Sequence, residues 1–174
     1  MSVLDIRPLN ASPAIIGLLS SILVEVVAEG GSVSLMHPLL PATADAFWTE
    51  ALTAAAGKRV VIGAWEGSTL VGTVTLPLDC PPNQPHRAEI AKLMTRCTHR
   101  GRGIARVLMQ AAEAEAIARQ RTLLVLDTAV DGGPWPLYES LGSNLTGVIP
   151  DYALKPHGGL TGTRIYWKRI GKTR

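Results

Sequence analysis

A mixed α/β fold, in which helices cover both faces of a twisted sheet, is predicted by three features of the chain. The second half carries a strand, an amphipathic helix and another strand in succession, the order of a parallel crossover. The first half carries Glu66-Gly67-Ser68 between two β-rich runs, the signature of an antiparallel hairpin. The third feature is bulk: 174 residues, 47% hydrophobic and 18% charged, supply enough apolar side chain for one core and exclude a disordered segment. Residues 1–174 are therefore read as a single domain.

Residues 3–6 alternate apolar with polar side chains and read as a first strand. Asn10-Ala11-Ser12-Pro13 then offers an N-cap with proline at the first helical position, and the helix runs to about Glu29, where Gly30-Gly31 ends it. Residues 42–56 give a second helix, with Thr43 as cap and Gly57 as stop. Residues 59–64 and 70–76 are the hairpin strands, and residues 80–86 form a proline-rich loop. Residues 88–94 are one further strand, with Glu89, Ala91 and Leu93 on one face. Over residues 104–119, Ile104, Val107, Leu108, Ala111, Ala114 and Ala118 recur at helical spacing, opposite Arg106, Gln110 and Glu113. Residues 123–126 form an apolar run that stops at Asp127, as in a central strand covered on both faces. Residues 133–142 form a short helix with Pro134 and Pro136 in its first turn. Residues 145–149 and 163–168 supply two last strands, separated by a loop rich in glycine and proline.

Composition narrows the function classes. A formal charge of +3 is too small to mark a nucleic-acid binder, and the cluster Arg96, Arg100, Arg102 and Arg106 has no interleaved aromatic platform. No nucleic-acid partner is expected. Residues 14–28 contain Ser20, Ser21 and Glu25 and fall short of the roughly 20 apolar residues of a spanning helix, so no membrane partner is expected either. No secretory pattern opens the sequence and only Cys80 and Cys97 are present, which points to reduced thiols in the cytoplasm. His37, His86, His99 and His157 lack ligand spacing, and no metal is expected.

The segment Arg100-Gly101-Arg102-Gly103-Ile104-Ala105 stands between a strand and the start of an amphipathic helix. Glycines at 101 and 103 let backbone N–H groups approach an anion, and the helix N-terminus adds partial positive charge, so a pyrophosphate fits. The competing reading is an ordinary turn before a helix. A dinucleotide fingerprint fails because Arg106 stands where its third glycine belongs, and a P-loop fails for want of Gly-Lys-Ser/Thr.

In this context the chain resembles the GNAT acetyltransferase superfamily, whose Arg/Gln-x-x-Gly-x-Gly/Ala pattern is met by Arg100, Gly103 and Ala105. A second stretch, Leu137-Tyr138-Glu139-Ser140-Leu141-Gly142, is similar to the family's tyrosine followed four residues later by glycine, although Ser143 replaces the usual aromatic. The resemblance implies a GNAT fold whose sheet splays near its middle to admit acetyl-CoA. It implies cofactor contacts at Leu93, Met94, Arg100, Gly101, Arg102, Gly103, Ile104, Ala105 and Tyr138, and no metal. Acetyl transfer needs an acceptor lone pair, stabilisation of an oxyanion and a proton for the leaving thiolate. By the same resemblance Tyr138 supplies that proton, and a backbone N–H at Leu93 or Met94 faces the oxyanion. The competing role for Tyr138 is a packed aromatic.

Two carboxylates are candidates for taking the acceptor's proton, directly or through water: Glu89 on its strand and Asp127 at the carboxyl end of another. Otherwise Glu89 pairs with Arg87 or Lys92, and Asp127 caps the following turn. Cys97 has no neighbouring base in sequence and reads as an incidental thiol. The acceptor side is implied at residues 31–36, including Met36, and at residues 151–159. There Asp151 suits an ammonium and Lys155 a carboxylate, and with Tyr152 this mix of charges and aromatics suits a small zwitterion, unless the loop is merely solvated. The expected function is acetyl transfer to the amine or hydroxyl of a small polar acceptor, amino-acid-like or β-lactam-like, including a toxin or antibiotic. The rival is a non-catalytic acyl-CoA sensor. A homodimer is compatible with either.

Overall fold

The computed structural model describes residues 4–53 and 57–171. Two four-stranded sheets form from β1 (Leu4–Pro8), β2 (Arg59–Glu66), β3 (Thr69–Pro77), β4 (Arg87–Glu89), β5 (Ala91–Thr95), β6 (Leu123–Ala129), β7 (Asn144–Leu154) and β8 (Leu160–Arg169). The first has the order β1-β2-β3-β5 and the second β4-β6-β8-β7. Every pairing is antiparallel except β4 with β6, the crossover expected from the strand–helix–strand order. Four helices complete the fold: α1 (Pro13–Ala28), α2 (Pro41–Thr53), α3 (Ile104–Ala118) and α4 (Trp135–Ser140).

Alternation along β2 splits the core in two. Val60, Ile62 and Ala64 pack with Leu108, Ala112 and Ala116 of α3, whereas Val61 and Trp65 pack with Leu19, Leu23 and Trp48 of α1 and α2. Helices thus cover both faces, and burial of each such leucine contributes about 2 kcal/mol. The seat of α3 on β3 is close because Gly72 has no side chain. A Cβ there would lie 3.0 Å from Ile104 Cγ2 and 3.1 Å from Leu108 Cδ1.

The splay comes from one change of partner. The expected single strand over 88–94 is two strands. β4 pairs with β6 through Glu89, the Ile90 N–H still reaches the Val125 carbonyl at 3.0 Å, and from Ala91 the chain pairs with β3 instead. Among the described residues, 126–129 of β6 then have no strand partner on the side facing β5, and a gap opens there. Glu89, Ala91 and Leu93, expected on one face, all border that gap, but Lys92 between them borders it too, so alternation lapses there. Lys92 adopts a left-handed backbone (φ 50), and the register with β3 shifts between Thr73 and Thr75.

Other boundaries move for identifiable reasons. Ser12 caps α1 as expected, accepting the Ile15 N–H at 3.2 Å. α2 begins at Pro41, and the Leu40 carbonyl accepts from Thr43 and Ala44, so Thr43 lies inside the first turn and is not the cap. β6 runs through Asp127 to Ala129. Leu124, Leu126 and Thr128 are buried while Asp127 is exposed, so the strand is not covered equally on both faces, and Asp127 caps no turn. Most of the expected loop after residue 149 is strand. β7 continues past Pro150 through a register shift between Ile149 and Ala153, leaving a tight turn closed by Lys155 N–H to the Gly159 carbonyl at 2.9 Å. Residue 3 of the first expected strand and 54–56 of the second expected helix lie outside the described residues.

Candidate active site

Two clefts meet at the splay. The first, about 570 Å³, is lined by the end of α1 and the residues after it, by β5, by the loop into α3 and by the segment between β6 and α4. Leu93, Met94, Arg100, Gly101, Gly103, Ile104 and Ala105 all border it. Gly101 (φ 74) and Gly103 (φ 79) hold left-handed backbone, and a Cβ on either would meet nothing within 4 Å, so both face open space. Gly103 caps α3 without a side chain, which leaves the first N–H groups of that helix available to a ligand. Arg106, engaged with Ser140 Oγ at 2.8 Å, also borders the cleft. Such a cradle suits a phosphate-rich ligand.

The loop is tied to α1 from behind. The Glu25 carboxylate accepts the Cys97 N–H at 2.5 Å and a hydrogen bond from Arg96 at 3.0 Å. Burial opposes the charge on Glu25, but the bonds from Cys97 and Arg96 outweigh it and hold its pKa below the usual carboxylate range. The same burial, with Glu25 beside it, pushes the Cys97 thiol up, as befits an unreactive cysteine. A depressed carboxyl pKa stabilises the fold at pH above the ordinary carboxylate range and ceases to do so as pH falls below it. Glu25→Gln is expected to lower the melting temperature by about 3 °C at neutral pH, the scale of one charge-assisted hydrogen bond. The difference should shrink in acid. Scanning calorimetry at two pH values checks this, and equal melting temperatures at pH 7 would mean the tie carries no energy.

The second cleft, about 550 Å³, adjoins the first and shares Ser32, Val33, Leu93, Thr128, Ala129 and Pro134 with it. Glu89, Lys92, Asp127, Tyr138 and Tyr152 line it. Glu89 is bound by Arg87 at 2.6 Å, one of the two pairings foreseen for it. Asp127 accepts from Thr163 Oγ1 at 3.3 Å. Tyr138 is 4% exposed, and burial, followed by the nearby Asp127 charge, pushes its phenol well above the ordinary range. Burial lowers the pKa of Lys92, with Asp127 acting in the opposite direction. Asp127 therefore lies within electrostatic reach of both the phenol and the ammonium.

The remaining expected residues stand elsewhere. Arg102 turns away from the first cleft toward Glu66 at 3.7 Å and the Thr98 carbonyl at 3.4 Å. Met36, Asp151 and Lys155 line neither cleft, and the 151–159 segment reaches the second through Tyr152, Ala153 and Leu154, so neither of its charged residues borders it. Sequence reasoning missed Lys92 as a cleft residue, and it missed the segment 131–134. The dipeptide Gly132-Gly133 was the available signal for that segment: a Cβ at Gly133 would lie 2.4 Å from the Ala129 carbonyl oxygen. Among the described residues no group of three or more His, Cys, Asp or Glu is placed to hold a metal, and no helix is long and apolar enough to cross a membrane.

Comparison with known proteins matches residues 32–142 to the family described as "Acetyltransferase (GNAT) family". An N-acetyltransferase from Staphylococcus aureus Mu50 superposes with a TM-score of 0.80 at 18% identity, covering 98% of this chain and 100% of that one. A Salmonella typhimurium protein solved with its cofactor acetyl-CoA gives 0.77 at 16% identity, covering 98% and 95%. An aminoglycoside 6'-N-acetyltransferase complexed with coenzyme A gives 0.76 at 17% identity, covering 98% and 99%.

Proposed function

The chain belongs to the acetyltransferase (GNAT) family, and from that premise we propose that residues 1–174, acting as one catalytic domain, transfer acetyl directly from acetyl-CoA to the amine of a small polar acceptor. The observation that carries this reading is the pair of adjoining clefts, with a glycine-rich anion cradle in one and a carboxylate and a buried phenol in the other. Acetyl-CoA supplies an activated thioester whose sulfur must leave with a proton. Gly101, Gly103 and the first turn of α3 hold its phosphates, with Arg100 alongside. The lapse of the ladder around Lys92 leaves backbone at Leu93, beside Met94, to donate to an oxyanion between the clefts.

Asp127 is the better placed base. It lines the same cleft as Tyr138 and lies within electrostatic reach of it, whereas Glu89 is already engaged by Arg87 and serves the local field. Tyr138 gives its proton to the departing sulfur. Asp127→Asn is expected to slow turnover about tenfold at neutral pH and more below it, where more of the acceptor amine is protonated, with Glu89→Gln milder. A pH–rate profile of both variants checks this, and a larger loss in Glu89→Gln would exchange the two roles.

On the acceptor, Arg87-Ala88-Glu89, Lys92-Leu93-Met94, Leu126-Asp127-Thr128 and Gly30-Gly31-Ser32-Val33 are similar to the tabtoxin resistance protein, a GNAT enzyme that acetylates a bacterial β-lactam toxin. That likeness supports an amino-acid-like or β-lactam-like acceptor and a resistance role, while the cytoplasmic placement rests on the two thiols. The test is coenzyme A thiol release with amino acids, β-lactam amino acids, polyamines, aminoglycosides and peptides. Acetyl-CoA binding without turnover of any acceptor would make the protein a sensor.

A further inference from the structure

We infer that Lys92 selects the acceptor: its ammonium docks a carboxylate carried a few bonds from the amine that is acetylated, so that amino acids are taken in preference to neutral amines or polycations. This rests on the acetyl-transfer reading above and names the substrate class of the same site.

Among the described residues lining the second cleft, Lys92 is the one cation. Its backbone is left-handed at φ 50, a conformation that a non-glycine residue takes only at a cost, and the irregular register around it brings Ala91, Lys92 and Leu93 all to the cleft wall. Strict alternation would have turned Lys92 to the opposite face. The side chain is then steadied from two sides. Its Nζ donates to Ser34 Oγ at 3.1 Å and lies 5.7 Å from the centroid of the Phe47 ring. An ammonium carries three hydrogens, so two remain for a ligand.

The charges of the cleft have a matching arrangement. Glu89 is engaged by Arg87, which leaves Asp127 as the anion and Lys92 as the cation of the cleft lining, and among the ion pairs of the described residues none joins these two. One carboxylate and one ammonium lining the same cleft, not paired with each other, complement an acceptor with one amine and one carboxylate. A neutral amine would leave Lys92 partly desolvated without a counter-charge, and a polycation would meet it as a like charge. Burial already weakens the hold of Lys92 on its proton, so an arriving carboxylate restores what the cleft lacks.

The experiment compares amino acids with their matched carboxamides, which keep the amine and lose the charge, as acceptors for the full chain with acetyl-CoA. The wild-type protein is expected to prefer the carboxylates, and Lys92→Met to reduce the kcat/KM ratio of carboxylate to carboxamide about 30-fold, chiefly through KM, with Lys92→Arg restoring most of it. Ser34→Ala, which frees the ammonium from its anchor, should lower the same ratio a few-fold and carries the test if Lys92→Met does not fold. An unchanged ratio in the folded Lys92→Met variant, or a wild-type preference for carboxamides, overturns the inference. So does a loss confined to kcat, equal for both acceptors and growing at low pH, which would make Lys92 a base. Transfer to amines without preference defeats only this inference, whereas no transfer to any acceptor defeats the function it rests on.

Discussion

Tyr138→Phe is expected to slow turnover by about 10²-fold or more while acetyl-CoA binds almost as before, the low end of what a positioned general acid contributes. The ring is almost wholly buried and sits 6.1 Å from the ring of Tyr166 at a tilt of 52°, so phenylalanine keeps the packing and removes only the hydroxyl. No neighbour replaces it. Tyr166 already donates its own hydroxyl to Glu139 Oε1 at 2.8 Å. Burial and the Asp127 charge raise the phenol's pKa, so the proton is retained throughout the working range and the acid does not titrate away below about pH 10. The wild-type rate should therefore show no alkaline limb from Tyr138 in that range. Single-turnover thiol release, paired with calorimetric titration of the cofactor, separates the two effects. Full turnover in the folded variant would leave Tyr138 as packing alone.

Local signals in the sequence proved reliable where the structure they specify is itself local. Ser12 caps α1 through its own third neighbour, and Gly67-Ser68 closes the β2–β3 hairpin between Glu66 and Thr69. The glycines at 101 and 103 stand at a strand-to-helix junction, and their left-handed backbone opens onto the cleft. What escaped the sequence depends on partners distant in the chain. Nothing between residues 88 and 94 says that β4 pairs with β6 and β5 with β3, yet that exchange at Ile90 opens the gap and rotates Lys92 into it. In the sequence Asp127 reads as a strand terminus because a carboxylate rarely continues a buried strand. It continues this one because its side faces the cleft. Arg102 and Lys155 carry charges of the expected sign, but charge carries no direction. Arg102 is drawn to Glu66 and the Thr98 carbonyl, Lys155 sits in the turn closed by Gly159, and neither lines a cleft.

Gly103→Val is expected to weaken acetyl-CoA binding about 10²-fold, with the fold retained. Two effects add. At φ 79 the residue occupies left-handed space that a β-branched side chain tolerates poorly, so the backbone is expected to relax and turn its N–H groups off target. The added side chain would also stand in the open cleft, because a Cβ at this position meets no protein atom within 4 Å. That emptiness also protects stability: the protein itself has nothing there to clash with, and the obstructed partner is the ligand. Losing one or two charge-assisted hydrogen bonds to phosphate amounts to about 3 kcal/mol, which is the stated change in Kd. Gly101→Ala is the milder companion, since it adds one methyl at φ 74 three residues before the helix and should cost affinity without abolishing it. Isothermal titration of both variants, with circular dichroism to verify folding, measures the effect. Wild-type affinity in a folded Gly103→Val protein would move the phosphates away from this loop and leave the first cleft to another part of the cofactor.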